Sequence, residues 1–248
     1  MVSYGVPVSS LTDFWSRLVG VQSGPPRLVV LGAAVLAIAV IGPYRSWRIT
    51  RHVVTIAHEG GHALTALLTG RRLSAIRLHS DTSGLTVSAG RPTGPGMVAT
   101  GMAGYLTPSL LGLLGAVLLT SGRITVMLWT ALAVLAAMLV MIRNVFGVVS
   151  VVTTIGIVFA VSWFTSAQVQ AAFAYFAVWL LLAGGVRPIV ELQRMRRRGQ
   201  APYSDADQLA RLTRLPGLFW VAFFWVGTVA ALLVGGWLLL RPMTEGWA

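Results

Sequence analysis

Seven stretches of the chain are apolar over a length suited to crossing a ~30 Å hydrocarbon core. They are residues 28–44, 53–68, 97–120, 124–142, 145–164, 171–186 and 218–240. Some are short, so six crossings fit the pattern as well as seven. One segment alternates with a period of two: residues 73–79, a turn at Asp81-Thr82-Ser83-Gly84, then residues 85–89. This predicts a β-hairpin at the membrane surface. Two strands alone are marginal, so the hairpin is expected to rest on the helices or on the bilayer interface; its free edge can hold a further extended strand by main-chain hydrogen bonds, a simple link between spans being the plainer reading. The pattern as a whole predicts an all-α polytopic membrane protein of about six to seven transmembrane helices with one small hairpin. Residues 1–27 form an N-terminal extramembrane segment, residues 28–248 a single membrane domain, and residues 187–204 a basic loop within it. No repeat of fixed period and no second domain are evident.

Composition strengthens this picture. The chain is 56% hydrophobic and 10% charged, with a mean hydropathy of +0.77, which excludes an ordinary soluble domain and makes the lipid bilayer its immediate partner. The first apolar run starts too late, after a polar segment too long, for a simple cleavable signal peptide. Cysteine is absent, so disulfides and thiolate metal sites are excluded.

All 19 basic residues are Arg, a bias that points to a GC-rich genome and a bacterial inner membrane. The net charge of +12 does not indicate nucleic acid, because the arginines lie in short loops between apolar runs without interleaved aromatics. The densest cluster, residues 194–198, is expected to face the cytoplasm and its anionic lipid surface. With residues 187–214 inside, residues 166–170 fall outside, and Arg143 and residues 71–91 fall inside. Arg45, Arg48 and Arg51 fit badly, since this reckoning places them outside. Either one span is miscounted or the first is not a true crossing.

The chemistry is concentrated in His58-Glu59-Gly60-Gly61-His62. On a helix of 3.6 residues per turn, His58 and His62 stand one turn apart on one face, so both imidazoles reach a single zinc ion. Glu59 sits beside that ion, placed to take a proton from the attacking water and return it to the leaving amine. Chance gives this pattern in roughly one shuffled chain in a thousand. A plain helix with hydrogen-bonded His and Glu is the bland alternative. A charged acid at bilayer depth costs roughly 2.5–3.5 kcal/mol, which argues that the residues are there for function.

A catalytic zinc site takes three protein ligands and keeps one position open. Of the seven acidic residues, Glu59 already has its part. Asp13 lies in the N-terminal segment, Asp81 in the hairpin turn, Glu191 in the basic loop and Glu245 near the end. Asp205 and Asp207 remain, in Ser204-Asp205-Ala206-Asp207. A helix start accounts for Asp207: Ser204 is the N-cap and Asp207 closes a variant capping box. Asp205 is accounted for less fully, by the positive end of the helix dipole. Two residues apart, they cannot both face one metal from a regular helix. Asp205 is the expected third ligand and Asp207 the alternative. His52 reads as a helix-entry residue and His79 as a surface residue.

Gly60 and Gly61 each cost about 1 kcal/mol relative to Ala in a soluble helix and bare the face next to the histidines. A neighbouring span is expected to press there. Gly101, Ala103, Gly104, Gly112 and Gly115 supply a second smooth surface.

Taken together, these residues resemble the site-2 protease family of intramembrane zinc metalloproteases, in particular a compact bacterial branch without extra soluble domains. The likeness is carried by HEGGH with Ala63 and the Leu-Leu-Thr-Gly-Arg-Arg at 67–72. It extends to Gly-Met-Ala-Gly-Tyr-Leu-Thr-Pro at 101–108, Arg143-Asn144-Val145-Phe146-Gly147 and the Ser-Asp-Ala of 204–206. It covers most of residues 51–216, and only the first motif is specific by itself. The resemblance implies cleavage of peptide bonds in or near the transmembrane segments of membrane protein substrates. It implies zinc on His58, His62 and an aspartate, with Glu59 as general base. The family usually supplies its aspartate from an Asn- and Pro-rich stretch ending in Leu-Asp-Gly on a later membrane helix, and no Leu-Asp-Gly occurs here; Ser-Asp-Ala looks like its replacement. Asn144 looks like the family's substrate-binding asparagine, the plainer reading being an Asn hydrogen-bonded to a helix.

The expected function is therefore an intramembrane zinc metalloendopeptidase. The alternative is a zinc-binding membrane scaffold or regulator without proteolytic activity, against which the intact Glu59 argues. A transporter relay would call for more acidic residues within the spans than Glu59 alone. The chain carries no signature of a particular oligomeric state or substrate.

Overall fold

The computed structural model describes residues 19–244. Asp13, Glu245 and most of the N-terminal extramembrane segment lie outside the described residues. The elements run α1 (Arg27–Ile41), α2 (Tyr44–Leu68), β1 (Arg72–Leu78), β2 (Gly84–Ala89), α3 (Pro95–Thr120), α4 (Ile124–Met141), α5 (Val145–Phe164), α6 (Ala167–Gly184), α7 (Arg187–Arg197), α8 (Asp205–Thr213) and α9 (Gly217–Thr244). The protein is a helical, polytopic membrane protein with one small two-stranded sheet.

The N-terminal part corrects the expected spans. α1 has 15 residues, about 22 Å of helix, short of a ~30 Å core. It ends after Gly42, which is still helical, because Pro43 has no N–H to continue the ladder and turns the backbone extended, with ψ at 145°. The chain then turns through 107° into α2. α2 runs unbroken for 25 residues from Tyr44, since Arg45, Arg48, Arg51 and His52 interrupt hydropathy but not helix geometry. Five helical stretches among the described residues are long and apolar enough to cross a membrane, or six when α1 and α2 count as one broken span. Among the described residues, seven separate crossings are not present.

This also explains the badly placed arginines. Arg51 pairs with Glu191 of α7 at 2.8 Å, Trp47 Nε1 donates to the same carboxylate at 2.9 Å, and the Arg187 guanidinium donates to the Ile41 and Gly42 carbonyls. The start of α2 thus lies beside basic α7, not across the membrane from it.

The hairpin lies along α2. β1 and β2 pair antiparallel from Arg72↔Ala89 to Leu78↔Gly84, with a bulge between Leu73 and Ala75. Ile76 and Leu78 of β1 are buried with Ile56 and Ala63 of α2, Met138 of α4 and Val151 of α5. The outer edge of β1 is closed by a parallel bridge from Ile76 to Ile142, where Arg143 N donates to Ile76 O at 3.0 Å. Among the described residues β2 pairs only with β1, so the free edge of the sheet is that of β2. The expectation that the hairpin rests on helices matches this packing.

A separate core fixes α8. Ala206 and Leu209 are buried with Ile189 and Leu192 of α7 and Trp220 and Phe224 of α9, against the partly buried Met102 and Tyr105 of α3. This anchoring orients the first residue of α8.

Candidate metal centre

Three polar side chains meet where α2, α3 and α8 converge. His58 and His62, one turn apart on α2, have Nε2 atoms 3.1 Å from each other. Asp205, the first residue of α8, brings Oδ2 to 3.2 Å from each of those nitrogens. One donor atom from each of the three residues lies within 4.8 Å of the others.

Local structure explains why each points inward. His62 is buried, and its Nδ1 lies 2.7 Å from the Thr100 carbonyl of α3. A carbonyl only accepts, so Nδ1 carries the proton and Nε2 keeps its lone pair. The His58 ring meets Tyr105 edge-on at 4.8 Å. Ser204 caps α8 by accepting from Asp207 N at 3.3 Å, which sets Asp205 at the helix entry while Leu209 seats against Gly101.

Asp207 faces elsewhere. Its carboxylate accepts from Arg196 Nη2 at 2.8 Å and from Ser204 Oγ at 2.6 Å. The structure therefore brings Asp205 to the histidines and leaves Asp207 at the helix start.

Glu59, next to His58 on α2, is 4% exposed, a depth that only held partners make tolerable. Thr86 of β2 donates to its Oε2 at 2.6 Å. Gly84 presses on the same carboxylate: a Cβ there would lie 2.6 Å from Glu59 Cδ and closer still to Oε1. The expected close approach is met by Gly61 and Gly104; Gly60 faces Met138 of α4, and Gly112 and Gly115 face Leu182 and Val178 of α6. Gly61 abuts Ala103 and Thr107 of α3, and a Cβ on Gly104 would overlap His62 Nε2 and stand 2.7 Å from His58 Cε1.

The comparisons agree with this geometry. A family model described as Peptidase M50B-like matches residues 31–235. The chain belongs to this site-2 protease family. No curated protein and no solved structure matches the chain. As an M50B-like protein it is a multi-pass membrane metallopeptidase.

The donor set suits the metal that the M50B-like family implies. Bonds of about 2.0–2.1 Å at tetrahedral angles put neighbouring ligand atoms about 3.3 Å apart. The three separations here are 3.1–3.2 Å. Two imidazoles and one carboxylate also make the mixed nitrogen and oxygen set of catalytic zinc sites, three donors where such sites take three from the protein.

Other residues singled out in the sequence of this M50B-like chain lie apart from the cluster. His79 sits in the hairpin turn with Nδ1 3.3 Å from Ser83 Oγ, and His52 packs against the Phe146 ring at 5.4 Å. The Asn144 side chain is not bonded to a helix. Its Nδ2 donates to Leu78 O at 2.6 Å and its Oδ1 accepts from Leu78 N at 3.2 Å, so it ties the end of β1 to the start of α5. Thr86, Gly84, Thr100 and Gly104 were not singled out for these roles in the sequence. Their partners lie across the fold, and only the small-residue run at 101–104 hinted at a close approach.

The hydrogen bonds from Arg196 hold the Asp207 carboxyl below the usual carboxylate range. A carboxyl lowered by folding stabilises the protein above its unfolded value, about 3.9, and loses that contribution as pH falls through the folded value. Asp207→Asn is therefore expected to lower the thermal midpoint near neutral pH. The gap to wild type should shrink as pH falls below about 4. A gap that stays constant across a pH series of melts contradicts the assignment.

Proposed function

We propose that this membrane metallopeptidase is a zinc endopeptidase that hydrolyses peptide bonds in or near the transmembrane segments of membrane protein substrates in the bacterial inner membrane. The observation that carries the proposal is the convergence of His58, His62 and Asp205 beside a buried Glu59. His58 Nε2, His62 Nε2 and an Asp205 oxygen would hold the ion, and Thr100 would fix the His62 tautomer. When bound, zinc supplies a Lewis acid that polarises the scissile carbonyl and makes water more acidic.

The chain's own residues do the rest. Glu59 accepts the proton of the attacking water and delivers it to the leaving amine. Thr86, donating to Oε2, sets the direction of the carboxylate. The substrate must be extended to expose its carbonyl, and the free edge of β2 offers main-chain hydrogen bonds to such a strand. In this scheme Asn144 contributes to substrate binding through the hairpin that it pins at Leu78.

Gly84→Ala tests the link between the hairpin and Glu59. The added methyl must displace the carboxylate, and a shift of about 1 Å in a catalytic group can cost about 100-fold in rate. The expected result is cleavage reduced on that scale with zinc content unchanged. Unaltered cleavage contradicts the contact.

The proposal itself is tested by reconstituting the protein with single-pass membrane proteins and reading new peptide termini by mass spectrometry. Termini within or beside apolar segments, lost on chelation and restored by zinc, are expected. A folded, zinc-loaded enzyme that produces none across such a set favours the scaffold alternative.

A further inference from the structure

We infer that the groove between α7 and the start of α9 is a binding site for one anionic phospholipid, with its phosphate between Arg194 and Arg197 and an acyl chain lying toward Trp225. The groove has a volume of about 400 Å³. Its α9 wall is Leu218, Val221, Ala222 and Trp225, positions spaced three and four apart that form one stripe on a helix. The facing wall on α7 is Ile189 and Val190, followed by Gln193 and the two arginines further along that helix. The result is an apolar trough with a cationic end, in a helix pair that joins a spanning helix to the basic surface segment.

Charge selects the occupant. No acidic side chain lines the groove. Arg196, between the two arginines in sequence, is committed to Asp207, whereas Arg194 and Arg197 are exposed and have no acidic partner among the described residues. Basic pockets between membrane helices favour anionic headgroups. Size argues against a substrate helix, because one turn of a helix 10–12 Å across displaces about 420–610 Å³. A helix could lie over the trough but not enter it; a glycerophosphate and part of one acyl chain can.

The site also has a route to the metal centre. The helix that carries Arg194 and Arg197 carries Arg196, which holds Asp207 on α8, and α8 begins with Asp205. Occupancy would brace α7 and α8 together. The lipid site does not depend on proteolysis, so its test reads binding.

The test is native mass spectrometry of the full chain, titrated with phosphatidylglycerol, with phosphatidylcholine and with inorganic phosphate. One phosphatidylglycerol per chain should be retained in preference to phosphatidylcholine. Binding should be about 30-fold weaker in an Arg194→Gln, Arg197→Gln double variant. Ala222→Trp should block the trough with both arginines intact. Wild-type-like melting in detergent shows that these exposed changes leave the fold in place, and an Arg194→Lys, Arg197→Lys variant should keep the charge preference. Equal retention of both lipids overturns the inference, as does unchanged binding in the Gln or Trp variants. Full competition by inorganic phosphate reduces the site to a simple anion site and also overturns it. So does a substrate segment that crosslinks at Trp225 and is not displaced by phosphatidylglycerol.

Discussion

Glu59→Gln is expected to retain zinc and fold while losing cleavage by about 100- to 10,000-fold, the range that a general base contributes. The substitution is nearly isosteric, so Thr86 can still donate to the remaining side-chain oxygen and Gly84 still has room for the group. What disappears is the ability to accept a proton. The separation of effects matters more than the size of either. A loss of cleavage with loss of zinc would mean that Glu59 supports the metal site and would not identify a base. Full turnover would remove Glu59 from the mechanism. Cleavage of a co-expressed membrane substrate, read beside zinc content and melting temperature, distinguishes these outcomes.

Gly104→Ala is expected to empty the metal site although it removes no donor atom. The added methyl would fall on His62 Nε2 and within 2.7 Å of His58 Cε1. Real Cβ atoms do not tolerate such separations, and the neighbouring atoms are ring atoms of a buried side chain, not the free end of a flexible one. The helix itself gains, since Ala is about 1 kcal/mol better than Gly in a helix interior. A comparison position separates the two effects. Gly156 in α5 has nothing within 4 Å of its would-be Cβ, so Gly156→Ala should leave zinc at the wild-type level and show only the gain in helix stability. Zinc bound normally by Gly104→Ala would show that α3 does not approach the histidines as described.

What could be read from the sequence, and what could not, follows the range of the interactions. His58, Glu59 and His62 lie on one helical turn, so their spacing alone places them. Asp205 was harder, being 143 residues from His62. The sequence favours it over Asp207 without deciding between them, because Ser204 capping accounts for Asp207; Asp207 N does donate to Ser204 Oγ, whereas its pairing with Arg196 has no local signal. The first two spans were misread because hydropathy treats residues 45–52 as a loop. Arginine and histidine are compatible with a helix, and Glu191 supplies the partner that lets Arg51 stay on it. The break falls at Gly42 and Pro43, a signal present in the sequence but absorbed into the apolar run. The partners of Glu59 and His62 sit on other elements, Thr86 on β2 and Thr100 on α3. No local pattern ranks these threonines above the others.

The central claim is that His58, His62 and Asp205 form one zinc site that excludes Asp207. Zinc per chain, measured in detergent-purified wild type, Asp205→Ala and Asp207→Ala, tests it most directly. The account predicts about one zinc in wild type and in Asp207→Ala, and almost none in Asp205→Ala. Retention of zinc by Asp205→Ala, or a folded wild type that takes up none after loading, would contradict it.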